Sequence, residues 1–450
     1  MRAPGLGRNG ALSLIDALAA MGAIFIVYAL VLHWHGRAAL GLWVLIIGVT
    51  GLARLADLSG AGALARLIAR AHGRRDLDKA RALADTVLAF LGALYAVVVL
   101  LAAIPLAWAV RAMVEPALHG QAMALFPVAL TVLYLSVLAT AATSALDGLQ
   151  RTDLRALVTL AGRAVFVALA IALVPGQGVF GLALARAGEA ATVLATGRAV
   201  LMRRLPGLRW LPTTLSRPAL REALGYGGRL QLANLAAQMR EPLARIVINQ
   251  FGGLALLATY ELANRFVDRA RGLVLAAALP LVPAFARTGP GGQAAALMRR
   301  ANVWIAWGTV ALMAMVCLAA PLVSLVLFGA IDPIFILATA IVVPAYLANT
   351  QSVGIHHYAV GAGVLRWNIA GAFVMGAGGA LAGGWAGWAI GDLAGIAGIA
   401  LGQALGTLVV VFGNLRHFGL RLHEVADARP VAVSMAGLAL LGAVIVAGFG

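Results

Sequence analysis

The chain has 450 residues, of which 62% are hydrophobic and only 11% charged, and its mean hydropathy is +0.95. Soluble domains are about 45 to 50% apolar and about 25% charged, so this composition excludes a soluble globular protein. The formal net charge of +17 does not point to nucleic acid in such a chain, because the placement of basic residues in membrane proteins is governed by topology.

A helix that crosses about 30 Å of hydrocarbon needs about 20 mostly apolar residues. Thirteen stretches meet that requirement, at 11–32, 38–65, 82–110, 122–146, 156–175, 178–202, 225–251, 254–286, 301–328, 334–360, 367–384, 386–415 and 430–449. The expected fold is an all-α polytopic membrane protein. The first stretch is too long for a signal-peptide core and is followed at once by another span, so it reads as a retained helix.

After the sixth span comes the longest connection, RRLPGLRWLPTTLSRPALRE, rich in Arg and Pro. It divides the chain into an N-terminal lobe at 1–203, a linker at 204–224, a C-terminal lobe at 225–415 and a final loop and thirteenth span at 416–450. A weak echo between HGRAALGLWVLIIGVTGLA at 35–53 and FGGLALLATYELANRFVDRA at 251–270 fits two related halves, a common transporter plan. The single cysteine, Cys317, lies in the ninth span; it reads as a small buried hydrophobe and excludes an intramolecular disulfide.

The basic residues alternate with the connections. They gather at the N-terminus and around 66–81, 151–155, 198–221, 287–300, 366 and 416–429, while the intervening connections hold only Arg37 and Arg111. Cytoplasmic loops accumulate Lys and Arg, so the N-terminus is expected in the cytoplasm of a bacterial cell, with the protein in the inner membrane and Gly450 outside. The intervening connections are short and leave no room for a catalytic domain. No P-loop, HExxH, GxSxG or Cys/His cluster occurs, so the expectation is a transporter rather than an enzyme, with no cofactor and no metal.

Charges within the spans carry the functional argument, because each costs about 2.5 to 3.5 kcal/mol at a helix centre. In the seventh span, Arg240, Glu241 and Arg245 together would cost about 8 to 10 kcal/mol facing lipid. Asn234, Gln238, Glu241, Arg245 and Asn249 follow helical spacing and form one polar stripe, and Pro242 is expected to kink that helix. The eighth span repeats the pattern with Glu261, Arg265, Asp268 and Arg271 or Arg269. With Arg54, Arg163 and Arg186 from the first lobe, these residues form the expected substrate cavity: Arg54, Arg163, Arg186, Asn234, Gln238, Glu241, Arg245, Glu261, Arg265 and Asp268. A guanidinium fork suits bidentate binding of phosphate. The plainer reading is pairing within single helices, as Arg186 with Glu189 or Glu261 with Arg265. Asp16 and Asp392 have no charged neighbour within a helical turn and are the candidates for ion coupling. His356 and His357 read as interfacial packing.

The stretch INQFGGLALLATYELANRF at 248–266, running on to ALPLVPAFAR at 278–287, resembles the polysaccharide and O-antigen flippases of the multidrug/oligosaccharidyl-lipid/polysaccharide exporter superfamily. ADLSGAGALARLIARAHGRRDLDKARALADT at 56–86 is similar to their second helix, basic loop and start of the third. The resemblance implies two six-helix lobes around a central cavity, alternating access, and undecaprenyl-pyrophosphate-linked oligosaccharide as cargo, with membrane lipids, a polysaccharide polymerase and other assembly proteins as partners. The odd thirteenth span departs from that family's pattern. Two rivals stay open: a cation-coupled multidrug antiporter, which would prefer an acidic cavity, and a membrane enzyme of lipid-linked sugars such as a ligase or polymerase.

Overall fold

The computed structural model describes residues 6–53, 61–212, 215–278 and 292–422, with side chains for these except 6–14, 17, 61–63, 225–237, 276–278, 292–297 and 361. The thirteenth expected span and most of ALPLVPAFAR lie outside them. In hydrocarbon a backbone must satisfy its own polar groups, and helices do so within one segment. The described chain accordingly folds into twelve α-helices.

In chain order these are α1 (Leu6–Gly51), α2 (Ala61–Gly73), α3 (Leu77–Met113), α4 (His119–Gly148), α5 (Thr152–Arg204), α6 (Arg217–Ala278), α7 (Gly292–Phe328), α8 (Pro333–Gln351), α9 (Val353–Gly361), α10 (Arg366–Phe373), α11 (Gly379–Ala389) and α12 (Asp392–Phe418). A single π turn, Val374–Gly378, joins α10 to α11. Nine helices of the described chain, counting α10–α11 as one, are long and apolar enough to cross a membrane. Three of them are interrupted by a glycine with non-helical backbone: α1 at Gly36, α5 at Gly178 and α6 at Gly253. Gly253 has φ 67°, a left-handed value that costs a side-chain-bearing residue about 1 kcal/mol or more. Gly36 and Gly253 lie in the short connections expected between spans one and two and seven and eight, and Gly178 is the first residue of the expected sixth span. Around Pro242 the φ/ψ angles of α6 stay helical, and the non-helical backbone inside α6 is at Gly253.

The chain divides into two compact units, 1–234 and 235–450. Among the described residues the first unit holds four of the nine candidate spans and the second five, and counting each interrupted helix as two gives six helical segments in each.

In the first unit α5 packs along α1 and α4, and α2 lies against α3 and α4. Leu64, Leu67, Ile68 and Ala71 of α2 are buried while Arg66 and Arg70 are exposed, one apolar face at helical spacing. Asp76 caps α3, its carboxylate accepting the Lys79 amide at 2.9 Å, an arrangement worth about 1 kcal/mol. The connection after α5 and the start of α6 are part of this core, since Leu205 and Leu208 of the one and Ala219 and Ala223 of the other are buried in the same cluster as Leu83, Leu146 and Leu201. Beneath it Arg198 pairs with Asp85, both side chains 3% exposed, and Arg198 Nε also donates to the Arg209 carbonyl at 3.0 Å. Thr86 accepts the Ser216 amide at 3.0 Å.

In the second unit α12 packs along α11 and α8. Both α10 and α11 meet α12 backbone against backbone. A Cβ added to Gly402 would run into the Gly379 backbone, and one added to Gly371 would lie 2.6 Å from the Gly406 carbonyl oxygen. Asp332 caps α8 by accepting the Phe335 amide at 2.8 Å, with Pro333 in the first turn, where a missing N–H costs nothing.

Candidate functional site

The polar centre of the second unit is built on α6, which carries acidic and basic side chains before and after its break at Gly253. Because the break reverses the local course of the chain, Arg245 from the first segment meets Glu261 from the second. Arg245 Nε lies 3.0 Å from Glu261 Oε2 and Nη2 lies 2.9 Å from Oε1, the bidentate fork that guanidinium and carboxylate favour. Glu261 also accepts Arg265 Nε at 2.6 Å one helical turn on, and Arg245 Nη2 donates to Glu241 at 3.1 Å. Glu261 is 2% exposed and Arg245 6%. An isolated ion at such a depth costs several kcal/mol, and here one carboxylate offsets two guanidiniums.

Arg240 sits otherwise. Its Nη1 donates to Gln403 Oε1 at 2.6 Å and its Nη2 to the Tyr346 hydroxyl at 3.2 Å, both neutral oxygens. It makes no ion pair among the described residues. The Tyr346 hydroxyl in turn donates to Asn264 Oδ1 at 2.9 Å. The guanidinium carbons of Arg240 and Arg271 lie 5.4 Å and 5.6 Å from the centre of the Tyr346 ring, within cation–π range. Arg271 also pairs with Asp268 at 3.4 Å. Four arginines (Arg240, Arg245, Arg265, Arg271) thus stand against three carboxylates (Glu241, Glu261, Asp268), and each of the three carboxylates is held by an arginine.

The expected stripe on α6 runs from outside to inside: Gln238 and Glu241 are exposed, whereas Arg245 and Asn249 are buried. Asn234 lies in α6 with its side chain outside the described set, and Arg54 is outside the described residues altogether.

In the first unit Asp16, buried on α1, forms an ion pair with Arg163 of α5 and accepts Thr159 Oγ1 at 2.6 Å. Its lack of a charged neighbour holds only along its own helix; the partner comes from 147 residues away. Arg186 pairs with Glu189 three residues on and lies 4.9 Å from the centre of the Phe166 ring. Asp392 is the first residue of α12, a helix long and apolar enough to cross a membrane, and so stands at its end rather than inside the longer stretch expected at 386–415. Gly391, at φ 138°, ends the preceding segment, and Asp392 begins α12 as an exposed residue whose carboxylate accepts the Leu393 amide at 2.8 Å.

Reading the sequence for charge left out Tyr346 and Gln403, because neither is ionised at neutral pH, and did not carry Arg240 into the site. The available signal was polarity at depth: Gln403 and Tyr346 are 4% and 0% exposed. Among the described residues no three His, Cys, Asp or Glu side chains group as metal ligands.

No protein-family model matches the sequence, and no curated protein sequence matches it. Solved structures do match the fold. An inward-facing multidrug resistance MATE family transporter of the MOP superfamily superposes with a TM-score of 0.75 at 16% identity, over 91% of this chain and 98% of that one. The lipid II flippase MurJ, in an inward closed conformation, gives 0.72 at 12% identity over 97% and 93%. A MOP superfamily transporter from Pyrococcus furiosus, described as having a binding pocket of reverse polarity that suggests a different function, gives 0.56 at 16% identity over 92% and 95%. The protein therefore has the fold of MOP superfamily transporters, which MATE transporters and MurJ share.

Proposed function

We propose that the protein is a flippase that carries an undecaprenyl-pyrophosphate-linked oligosaccharide from the cytoplasmic to the outer leaflet of the bacterial inner membrane by alternating access, for assembly of a surface polysaccharide. The observation that carries this reading is the sign of the charge in the second unit. Each carboxylate among Glu241, Glu261 and Asp268 is held by an arginine, and one arginine, Arg240, remains without a carboxylate among the described residues. A cationic drug would compete with a guanidinium at each of these carboxylates. An anionic headgroup meets the surplus directly, and guanidinium forks suit the oxygens of a diphosphate. The shared fold with a lipid II flippase supports a lipid-linked cargo.

The cytoplasmic N-terminus and the two six-helix lobes with a linker at 204–224 belong to the same proposal, on the alternation of basic connections. Polymerases and other assembly proteins are its expected partners. Asp16 is the proposed coupling carboxylate, released when Arg163 turns to another anion; Asp392, exposed at a helix start, is the weaker of the two positions. The cation antiporter is the competing reading, and the match to a MATE transporter fold keeps it in view.

The test is transfer of a fluorescent undecaprenyl-pyrophosphate oligosaccharide across proteoliposomes holding the purified protein, beside a cationic dye. Movement of the lipid-linked sugar without the dye is the expected result. Movement of the dye alone would replace the flippase by the antiporter.

A further inference from the structure

Among the buried hydrogen-bond donors of the second unit that lack acceptors, two adjoin Arg240. Gln403 is 4% exposed, and its Oε1 accepts from Arg240 Nη1 at 2.6 Å. That contact fixes the orientation of the amide, because turning it over would set an N–H against a guanidinium. Gln403 Nε2 is consequently a donor, and it is buried with no hydrogen-bond partner. Arg271 shares the Tyr346 ring with Arg240, and its Nε is likewise buried without a partner. Native proteins leave few buried donors unanswered. Here two occur around a cation whose acceptors are both neutral.

From these we infer that Arg240, Gln403, Arg271 and Tyr346 form an oxyanion-binding site for a phosphoryl or diphosphoryl group. The Arg240 guanidinium supplies the charge, Gln403 Nε2 and Arg271 Nε supply directed donors, and the Tyr346 ring holds both guanidiniums in place. Tyr346 is itself fixed by donating to Asn264 at 2.9 Å. Arg245 and Arg265 do not belong to the site, since Glu261 already occupies their forks. The inference rests on the reading of the cargo as anionic and names where its charged group docks. A phosphate on a glycerophospholipid headgroup and a diphosphate on a polyprenyl carrier offer the same chemistry.

The experiment measures binding rather than transport, so that it can fail separately from the flippase reading. Purified protein in nanodiscs of phosphatidylcholine is titrated with inorganic pyrophosphate while its thermal midpoint is followed. A parallel series incorporates phosphatidylglycerol at rising mole fraction. Pyrophosphate is expected to raise the midpoint in a saturable way, and Arg240→Gln to weaken that response by about ten- to a hundredfold. A response to phosphatidylglycerol with none to pyrophosphate would assign the site to a lipid headgroup and still support it. Lys79→Gln, in the other unit, is expected to respond as wild type does.

Gln403→Glu guards against a variant that fails to fold. It keeps the acceptor for Arg240 and installs a carboxylate in the proposed anion's place, so its midpoint without ligand is expected above wild type, with the pyrophosphate response gone. An equal response in wild type, Arg240→Gln and Gln403→Glu would overturn the site, as would no response to either probe in wild type. Binding without flipping would retain the site and remove the flippase; flipping without binding would do the reverse.

Discussion

Replacing Glu261 by glutamine removes a charge from a side chain 2% exposed that binds both Arg245 and Arg265. Glutamine keeps the shape and one acceptor oxygen, and Arg245 keeps its contact with Glu241 at 3.1 Å. What is lost is the compensation of two guanidiniums in a buried setting, where orphaning one member of an ion pair costs about 3 to 5 kcal/mol. The retained contacts place the expected loss near the lower end, about 3 kcal/mol. For a unit spanning residues 235–450, each kcal/mol moves the midpoint about 2 °C, so thermal unfolding in detergent should show a drop of about 6 °C. Adding Arg245→Met to Glu261→Gln should restore more than half of it, because a neutral pair leaves one guanidinium fewer to compensate. A drop under about 1 °C for the single variant would refute the reasoning, since it would mean that Glu261 does not compensate these arginines.

Asp85→Asn is expected to destabilise by about 3 kcal/mol or more and to expose the 205–212 segment to limited proteolysis, because Arg198 joins Asp85 to the Arg209 carbonyl; unchanged cleavage would remove that tie. Gly402→Val should lower the yield of folded protein sharply, as any Cβ there meets the Gly379 backbone, whereas Gly384→Ala, with open space around it, should fold normally by size-exclusion chromatography. Lys79→Gln breaks a pair at 2.8 Å whose partners are 42% and 32% exposed and should change the midpoint by less than about 1 °C, as surface pairs contribute little. A fluorescent protein fused before Met1 should fluoresce, and alkaline phosphatase in its place should be inactive, if the basic connections are cytoplasmic.

Which segments form helices long and apolar enough to cross a membrane was largely legible among the described residues, because the cost of burying charge and exposed backbone in lipid is paid segment by segment, and hydropathy records it locally. The turns at Gly36, Gly178 and Gly253 were legible for the same reason, since a left-handed backbone selects glycine at a single position. The pairing inside the spans was partly legible. Glu261 with Arg265 and Arg186 with Glu189 follow from helical spacing, whereas Asp16 with Arg163, Asp85 with Arg198 and Arg240 with Gln403 are joined across 147, 113 and 163 residues by helix packing that no local pattern encodes. The position of Asp392 at the start of α12 was not legible because hydropathy runs on through 386–415, while Gly391, at φ 138°, divides that stretch just before it. Tyr346 and Gln403 escaped notice because neither carries a formal charge, although the hydrogen-bond directions of a neutral side chain decide what a site can hold.

The central claim is that a guanidinium surplus in the second unit carries the cargo's phosphate. Its most direct test is the rate of transfer of the fluorescent undecaprenyl-pyrophosphate oligosaccharide in proteoliposomes holding equal amounts of wild type, Arg240→Gln and Gln403→Glu. The expected result is transfer by wild type and at least about tenfold slower transfer by both variants, the loss set by one charge-assisted contact. Wild-type rates in both variants would contradict the claim.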